Sequence, residues 1–243
     1  MDDVGGGRAV LTIRVVGETG STNADLLAAA AAGAAEGNWL RAERQTAGRG
    51  RQGRTWIDGA GNLFASTIVR LRPGDPPAPS LALVAGVALA EVIEDIAPGL
   101  ARIKWPNDLM VGTAKLAGML LERGTGDAVV AGFGVNVGRH PDLPDRTTTS
   151  LAAQGMRIEP AALLDGLTAT FAARLSDWRA SGMAVIRQRW LALAHPVGTP
   201  LTARLADGRT AQGRFDGLEP SGALRLKLPD GAVEIVHAGD VFL

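Results

Sequence analysis

The chain of 243 residues can form one large domain, or one domain with a small appendage, and its 46% hydrophobic and 21% charged residues are typical of a globular protein. The 25 basic and 25 acidic residues cancel, and this zero net charge disfavours a protein whose main role is to coat nucleic acid. Cysteine is absent, which excludes disulfides, thiolate catalysis and cysteine-bound zinc, and the histidines lack metal-ligand spacing.

The first part of the chain predicts alternating strands and helices. Apolar and β-branched runs predict strands over 10–16, 39–43 and 62–71, and apolar spacing predicts helices over 22–36 and 80–96. We expect Gly37 to end the first helix and Ser80 to cap the second. Ser21, Thr22 and Asn23 are good N-caps, and their hydroxyl and amide groups also suit a polar ligand. Local sequence alone favours the simple cap.

A glycine- and arginine-rich segment over 44–56 follows the second predicted strand. Four arginines fall within eleven residues, interleaved with glycines, and no apolar period of 2 or 3.6 runs through them. Such a segment is typical of a loop, and clustered arginines suit an anion because their like charges repel one another. Glycines allow backbone N–H groups to approach a phosphate or carboxylate closely. Taken alone, the segment fits an anion site, a solvated surface loop or a nucleic-acid contact.

Polar residues interrupt the apolar runs that follow. Lys104, Asn107 and Asp108 surround Pro106 between two strand-like pieces, and charges in such a setting need partners from the protein or from a ligand. Lys115 lies at the edge of the returning strand, where it is either a solvent-facing residue or part of a site.

Glycines mark the next predicted strands. Gly118 lies in mid-strand, and Gly132 and Gly134 lie two apart in the apolar strand over 128–137. Two glycines on one face indicate that something packs flat there or that the sheet bends. Asn136 in the same run needs hydrogen-bond partners. A dinucleotide-binding fingerprint is not met, because a loop follows these glycines.

The last part of the chain predicts two helices and then a small β unit. The helices are predicted over 160–181 and 183–194. From 197 onwards, short strands separated by regular turns predict an antiparallel unit, with a five-stranded barrel as its expected form. We place a domain boundary between 1–194 and 195–243. No basic region followed by an apolar core opens the chain, and the segment 81–96 is too short to cross a bilayer, so we expect a cytoplasmic protein without a membrane partner.

Five motifs, in order, resemble those of the biotin–protein ligases. They are Ser-Thr-Asn over 21–23, Gly-Arg-Gly-Arg-Gln-Gly-Arg over 48–54, Lys-Trp-Pro-Asn-Asp over 104–108, Lys-Leu-Ala-Gly over 115–118 and Gly-Phe-Gly-Val-Asn over 132–136. Each motif alone is weak, but the ordered set is highly specific. The resemblance implies an α+β fold, in which a mixed β-sheet flanked by helices, like that of class II aminoacyl-tRNA synthetases, precedes a C-terminal SH3-like β-barrel. Some members carry an N-terminal DNA-binding domain, and we expect this chain to be the short form without it.

The resemblance also implies a two-step ATP-dependent reaction. The biotin carboxylate attacks the α-phosphate of ATP to give biotinyl-5′-AMP and pyrophosphate. A lysine of a biotin carboxyl carrier protein or domain, as in acetyl-CoA carboxylase, then takes the biotin and AMP leaves. We expect no metal ligands in the chain because Mg²⁺ arrives with ATP, and we expect no nucleic-acid partner. The resemblance leaves open which carboxylase is the acceptor and whether the protein forms a homodimer.

The motifs carry over a set of expected site residues. Those expected to act in catalysis are Lys115, Arg49, Arg51 and Asp108. Those expected to bind biotin are Ser21, Thr22, Asn23, Gln45, Gly48, Arg49, Arg51, Lys115 and Gly118. Those expected to bind ATP or the adenylate are Arg49, Arg51, Arg54, Trp56, Lys104, Asn107 and Asn136. Asp108 either assists the acceptor lysine or pairs with Lys104 or Lys115, and Trp56 either lies near adenine or packs in the core. We also expect the arginine-rich loop to be disordered without ligand and to close over the adenylate.

Two other functions fit parts of the sequence. A lipoate or other acyl–protein ligase has the same fold, but lipoate lacks the urea group that Ser21, Thr22 and Gln45 are expected to contact. A nucleic-acid-binding module using the arginine-rich loop and the barrel belongs to a different class of function. The zero net charge and the few aromatic residues of the chain disfavour this nucleic-acid-binding alternative.

Overall fold

A seven-stranded mixed sheet forms the centre of the computed structural model, which describes residues 12–57, 59–205 and 207–243. Its strands are β1 (Thr12–Thr19), β2 (Asn38–Gln45), β3 (Leu63–Arg70), β4 (Arg102–Lys104), β5 (Asp108–Val111), β6 (Ala114–Arg123) and β7 (Ala128–Val135). They lie in the order β1-β2-β3-β7-β6-β5-β4, with β1 and β2 parallel and the other neighbours antiparallel. The predicted mixed sheet is confirmed, although residues 10 and 11 of the predicted first strand lie outside the described residues.

Four helices flank this sheet in the described part of the chain, and one predicted detail of them is wrong. They are α1 (Thr22–Ala31), α2 (Leu81–Ile96), α3 (Pro160–Ser181) and α4 (Met183–Leu193). Helix α1 ends well before Gly37, because Gly33 adopts a left-handed φ of 92° and stops the helix. Ser80 is the N-cap residue of α2 as predicted, but its side chain accepts no backbone N–H of the helix; its hydroxyl donates to the carbonyl of Pro77 at 2.6 Å and accepts from Trp178 Nε1 at 2.9 Å. No described helix is long and apolar enough to cross a membrane.

The two faces of the sheet bury separate apolar clusters. Leu40, Ile68 and Val130 pack with α1 on one face. On the other face, the rings of Trp39, Phe133 and Phe171 lie 5.7–5.8 Å apart and join the sheet to α3. Burying each such side chain contributes roughly 1.5–3 kcal/mol to folding. The sheet is therefore held rigidly from both sides, which fixes the positions of polar side chains at the edge of α1.

An arginine of α3 ties this helix to the end of β3. Arg179 Nη1 and Nη2 donate to the two carboxylate oxygens of Glu36 at 2.8 and 2.7 Å, and Nη2 also donates to the Arg70 carbonyl at 2.8 Å. Burial raises the pKa of Glu36, but hydrogen bonds from Arg179 and from the Arg70 amide outweigh burial and hold this pKa below its usual 4.5. The bidentate pair is thus a structural element away from the cavity described below.

A second, five-stranded antiparallel sheet follows α4. Its strands are β8 (Pro200–Leu205), β9 (Thr210–Leu218), β10 (Leu224–Lys227), β11 (Val233–Val236) and β12 (Gly239–Phe242). They lie in the order β11-β10-β9-β8-β12, which confirms the predicted five-stranded unit in an open form, because β11 and β12 are not paired among the described strands. One buried apolar core runs from α2 through α4 into these strands. The boundary between residues 194 and 195 falls just after α4 and stays a prediction.

Candidate active site

A cavity of about 880 Å³ lies against the face of the sheet that carries α1. Its wall includes fourteen of the fifteen residues expected from the sequence: Ser21, Thr22, Asn23, Gln45, Arg49, Arg51, Arg54, Trp56, Lys104, Asn107, Asp108, Lys115, Gly118 and Asn136. Gly48 lies just behind the wall, where its carbonyl accepts from the Trp56 amide at 2.9 Å. A Cβ on residue 48 would lie 2.6 Å from the Trp56 carbonyl oxygen, so this approach requires glycine.

Glycines of β6 and β7 form the floor of the cavity. A Cβ on Gly134 would lie 2.5 Å from Trp56 Cε2, and one on Gly118 would lie 3.1 Å from Trp56 Cζ3. A Cβ on Gly132 would meet the side-chain amide of Asn23. The predicted flat packing on the spaced glycines is therefore present, because the Trp56 ring lies against them. Trp56 lies across the floor and lines the cavity, so its alternative role as a core residue is wrong.

The start of α1 supplies a buried polar group. The backbone N–H and Oγ1 of Thr22 lie 2.8 and 3.1 Å from Gln45 Oε1. Ser66 Oγ lies 2.7 Å from Thr22 Oγ1 and donates to Asn23 Oδ1 at 2.6 Å. Ser21 accepts from the Ala24 amide and is the N-cap. These neutral donors and acceptors are fixed by one another, as a polar site inside a rigid fold requires.

Asp108 joins two lysines at the turn between β4 and β5. Its Oδ1 lies 2.5 Å from Lys115 Nζ and its Oδ2 lies 3.2 Å from Lys104 Nζ. Burial raises the pKa of Asp108, but the lysine charges outweigh burial and bring this pKa below its usual 3.8. Burial also lowers the pKa of Lys115 below its usual 10.5, and the charge of Asp108 opposes that shift. Because a carboxylate with a lowered pKa is a weak base, this geometry favours the pairing role for Asp108.

The arginine-rich loop crosses the cavity and reaches the C-terminal sheet. Arg51 donates to Asn107 Oδ1 at 3.2 Å and to the Gly239 carbonyl at 3.1 Å, and Arg54 pairs with Asp240. Arg49 Nη2 lies 3.2 Å from Glu122 Oε2. Arg49, Arg51 and Arg54 thus line the cavity, whereas Arg44 pairs with Glu18 at the exposed surface. The expected ordering of this loop by ligand stays a prediction.

The segment over 139–149 forms the remaining wall and is hydrogen-bonded to two expected site residues. The Asn136 side-chain amide donates to the Thr149 carbonyl at 2.9 Å. The Lys115 amide donates to the Thr147 carbonyl at 2.9 Å, and the Thr149 amide donates to the Lys115 carbonyl at 3.0 Å. This strand-like pairing brings Arg146 into the wall beside Lys115.

Comparison with known proteins agrees with this geometry. Residues 22–137 match the biotin/lipoate A/B protein ligase family, and residues 198–243 match the biotin protein ligase C-terminal domain. The chain is 37% identical over 240 residues to a biotin–[acetyl-CoA-carboxylase] ligase of Paracoccus denitrificans, covering 94% of this chain and 99% of that one. The chain belongs to the biotin protein ligase family. The resemblance predicted from the five motifs is therefore confirmed.

Other members of the family match over similar lengths. A biotin–[acetyl-CoA-carboxylase] ligase of Mycobacterium tuberculosis is 36% identical, covering 98% of this chain and 91% of that one. The bifunctional ligase/repressor BirA of Bacillus subtilis is 34% identical, covering 86% of this chain and 67% of that one. The solved biotin protein ligase of Aquifex aeolicus in complex with biotin and ATP superposes with a TM-score of 0.82 at 24% identity, covering 95% of this chain and 97% of that one. That likeness confirms the fold.

The cavity is strongly cationic although the whole chain is neutral. Among the described residues, seven lysines and arginines line the cavity, against three aspartates. The cations are Arg49, Arg51, Arg54, Lys104, Lys115, Arg146 and Arg204, and the aspartates are Asp108, Asp145 and Asp240. The resulting excess of positive charge suits a polyanionic ligand.

The sequence analysis missed several polar residues in or beside the site, and four of them make contacts used below. Ser66 lies in an apolar strand, Arg146 in a loop, Asp240 in the C-terminal sheet, and Glu122 behind the wall at the end of β6. None belongs to a motif, and no spacing rule connects them to the residues they contact. Only the fold brings them to the cavity.

Proposed function

We propose that this chain is an ATP-dependent biotin protein ligase, which forms biotinyl-5′-AMP and transfers the biotin to a lysine of a biotin carboxyl carrier protein or domain. The observation that carries this proposal is one cavity whose wall combines a neutral, mutually fixed polar group with a large excess of cations. Relatives named as biotin–[acetyl-CoA-carboxylase] ligases match nearly the whole chain and support it. A solved neighbour with the same fold holds biotin and ATP.

The cationic part of the wall suits the first reaction step. A carboxylate and a triphosphate repel each other, so their approach requires positive charge, and the charge that develops on the phosphoryl oxygens requires stabilisation. Arg49, Arg51 and Lys115 are proposed to meet the carboxylate and the α-phosphate, and Arg54 and Lys104 the other phosphates. Asp108 holds the two lysines in place and offsets their repulsion, since each of its carboxylate oxygens contacts one ammonium group.

The neutral part of the wall suits biotin. Biotin is an apolar bicycle with a polar urea edge, and it needs an apolar surface with a few fixed donors and acceptors. Ser21, Thr22 and Gln45 are proposed to contact the urea, and Gly118 of the same wall is proposed to bind biotin through its backbone. Trp56 and Asn136 are proposed to lie near adenine.

The residues present fit a Mg²⁺ ion only if ATP supplies its ligands. Among the described residues, no group of three or more histidines, aspartates or glutamates is placed to hold a metal ion. Each aspartate of the wall already pairs with a lysine or arginine. A Mg²⁺ ion bound to phosphate oxygens would share the negative charge of the triphosphate with these cations.

The deciding experiment is pyrophosphate release from ATP and Mg²⁺ by the purified protein with biotin, with lipoate or with no acid. We expect release with biotin alone, with biotinyl-AMP retained, followed by labelling of a biotin carboxyl carrier domain. Release with lipoate would keep the fold and the chemistry but overturn the proposed urea contacts. If neither biotin nor lipoate causes pyrophosphate release, the proposal is overturned, and nucleic-acid binding becomes the next function to test.

Three further features of the protein stay predictions. We infer a cytoplasmic location and the absence of a nucleic-acid partner from the sequence, and fractionation and binding assays test them. A homodimer is checked by sedimentation with and without biotin and ATP.

A further inference from the structure

One carboxylate outside the cavity wall links the polar end of the cavity to the arginine-rich loop. Glu122 Oε2 accepts from Asn23 Nδ2 at 2.8 Å and from Arg49 Nη2 at 3.2 Å. The same Asn23 amide also donates to the Leu120 carbonyl at 3.2 Å. A single carboxylate oxygen therefore accepts from the Asn23 amide at the start of α1 and from the Arg49 guanidinium in the loop.

Asn23 is in turn the end of a continuous hydrogen-bonded chain. Because Ser66 donates its hydroxyl proton to Asn23 Oδ1, the proton between Ser66 and Thr22 comes from Thr22. The Thr22 backbone N–H then holds Gln45 Oε1. The chain of contacts runs from Gln45 at the proposed urea site, through three buried side chains, to Glu122 and Arg49.

The position of Glu122 follows from the strand that carries it. Successive side chains alternate across a strand, so residue 122 lies on the same face of β6 as Gly118 and Leu120, which line the cavity. Its side chain is 24% exposed and that of Arg49 is 44% exposed. An ion pair this exposed contributes little to folding, so its main effect is to orient the arginine.

We propose that Glu122 is a positioning residue for adenylation, which holds the Arg49 guanidinium against the acid-binding end of the cavity and couples that end to the arginine-rich loop. The proposal rests on the proposed function, because it concerns how Arg49 meets the biotin carboxylate. Arg49 lies between glycines at 48 and 50, and such a backbone does not fix a side chain by itself. Glu122 supplies the fixed point from a strand of the central sheet.

The test is a double-mutant cycle on Glu122 and Arg49. Glu122→Gln keeps an oxygen that accepts from Asn23 Nδ2, so Asn23 stays in place beside Gly132 on the floor. The substitution removes only the negative charge that holds Arg49. We expect E122Q to lower kcat for biotin-dependent pyrophosphate release by at least about tenfold, because small misplacements of a reacting group are costly. Transfer from added biotinyl-AMP to the carrier domain should change far less. Glu43→Gln on the exposed side of β2 is the matched control and should match the wild type.

The Arg49→Ala background separates positioning from a structural role. If Glu122 acts through Arg49, adding E122Q to R49A causes no further loss in single-turnover adenylate formation, and it relieves part of the R49A defect because an unpaired carboxylate no longer faces an anionic substrate. Equal losses in both backgrounds would overturn the proposal, as would normal or faster release by E122Q. Wild-type protein without biotin-dependent release would instead refute the proposed function, so the two failures are distinguishable.

Discussion

Asp108→Asn tests how one carboxylate holds two lysines in the site. The Asp108 carboxylate lies 2.5 Å from Lys115 Nζ and 3.2 Å from Lys104 Nζ, and all three side chains are only 15–16% exposed. Asparagine keeps the shape and one acceptor but removes the compensating charge. Removing one partner of such a buried pair costs about 3–5 kcal/mol. Because one hydrogen bond survives, we expect the lower end, about 3 kcal/mol, which lowers Tm by roughly 6–12 °C in a protein of this size.

The same substitution should change the pH dependence in a defined direction. Burial lowers the pKa of Lys115 below its usual 10.5, and Asp108 opposes that shift, so losing Asp108 lowers this pKa further. Between the lowered pKa of the folded chain and 10.5, the unfolded chain then binds more protons than the folded chain, and the free energy of unfolding rises with pH in that window. D108N is therefore most destabilised near neutral pH and recovers as pH rises toward 10.5. Since we propose that adenylation needs a charged Lys115, pyrophosphate release by D108N should fall at a lower pH than in the wild type.

Calorimetry at several pH values and pH–rate profiles of both half-reactions measure these effects. Asp127→Asn is the control, because the Asp127 side chain is 52% exposed in its pair with Arg70, and such pairs contribute about 0–1 kcal/mol. Unchanged stability and an unchanged alkaline limit in D108N would refute the pairing role. Normal pyrophosphate release with blocked transfer from biotinyl-AMP would instead identify Asp108 as the base for the acceptor lysine.

Two further substitutions test the floor of the cavity and the structural ion pair. Gly134→Ala places a Cβ 2.5 Å from Trp56 Cε2, so we expect pyrophosphate release to fall about 100-fold, while Gly17→Ala, whose Cβ meets nothing within 4 Å, leaves it unchanged. Normal release by G134A would show that Trp56 need not lie on the floor. Arg179→Met removes the bidentate partner of Glu36 and leaves it the exposed Arg72 and the Arg70 amide, so we expect the low end of the cost of a broken buried pair, about 3 kcal/mol, in urea unfolding. Because the Glu36 pKa is lowered, this stabilisation is full above pH 4.5 and lost in acid, where the two proteins should converge; a constant difference would contradict the pairing.

Local patterns predicted most strands and helices. They did not predict where a helix ends when two residues in the sequence both suit its end. Gly33 and Gly37 both suit the end of α1, and the alanine-rich run continues past the first of them. The structure uses Gly33, and the Gly37 amide pairs with the Ile68 carbonyl of β3 at 3.1 Å. The choice depends on packing against a strand thirty residues away. The order of the sheet is likewise absent from local patterns, since nothing in β3 specifies β7 as its neighbour.

The site residues also divide into those that the sequence could predict and those that it could not. The first belong to motifs, and the second are isolated polar residues. Arginines, lysines and glycines that cluster in sequence were predictable, because clustered charge and paired glycines each need a physical cause. Ser66, Glu122 and Asp240 are single polar residues in apolar or ordinary strands. Each is recognised only through a partner far along the chain: Asn23 for the first two and Arg54 for the third.

The C-terminal sheet belongs to the site as well as to the fold. Its last strand supplies Asp240 to Arg54, the Gly239 carbonyl to Arg51 and the Val241 carbonyl, at 2.9 Å, to Lys104. These acceptors hold cations that otherwise repel one another across the cavity. A triphosphate would offer the same cations stronger acceptors, so we expect its binding to exchange contacts to β12 for contacts to phosphate. A boundary drawn after α4 therefore divides the chain but not the active site.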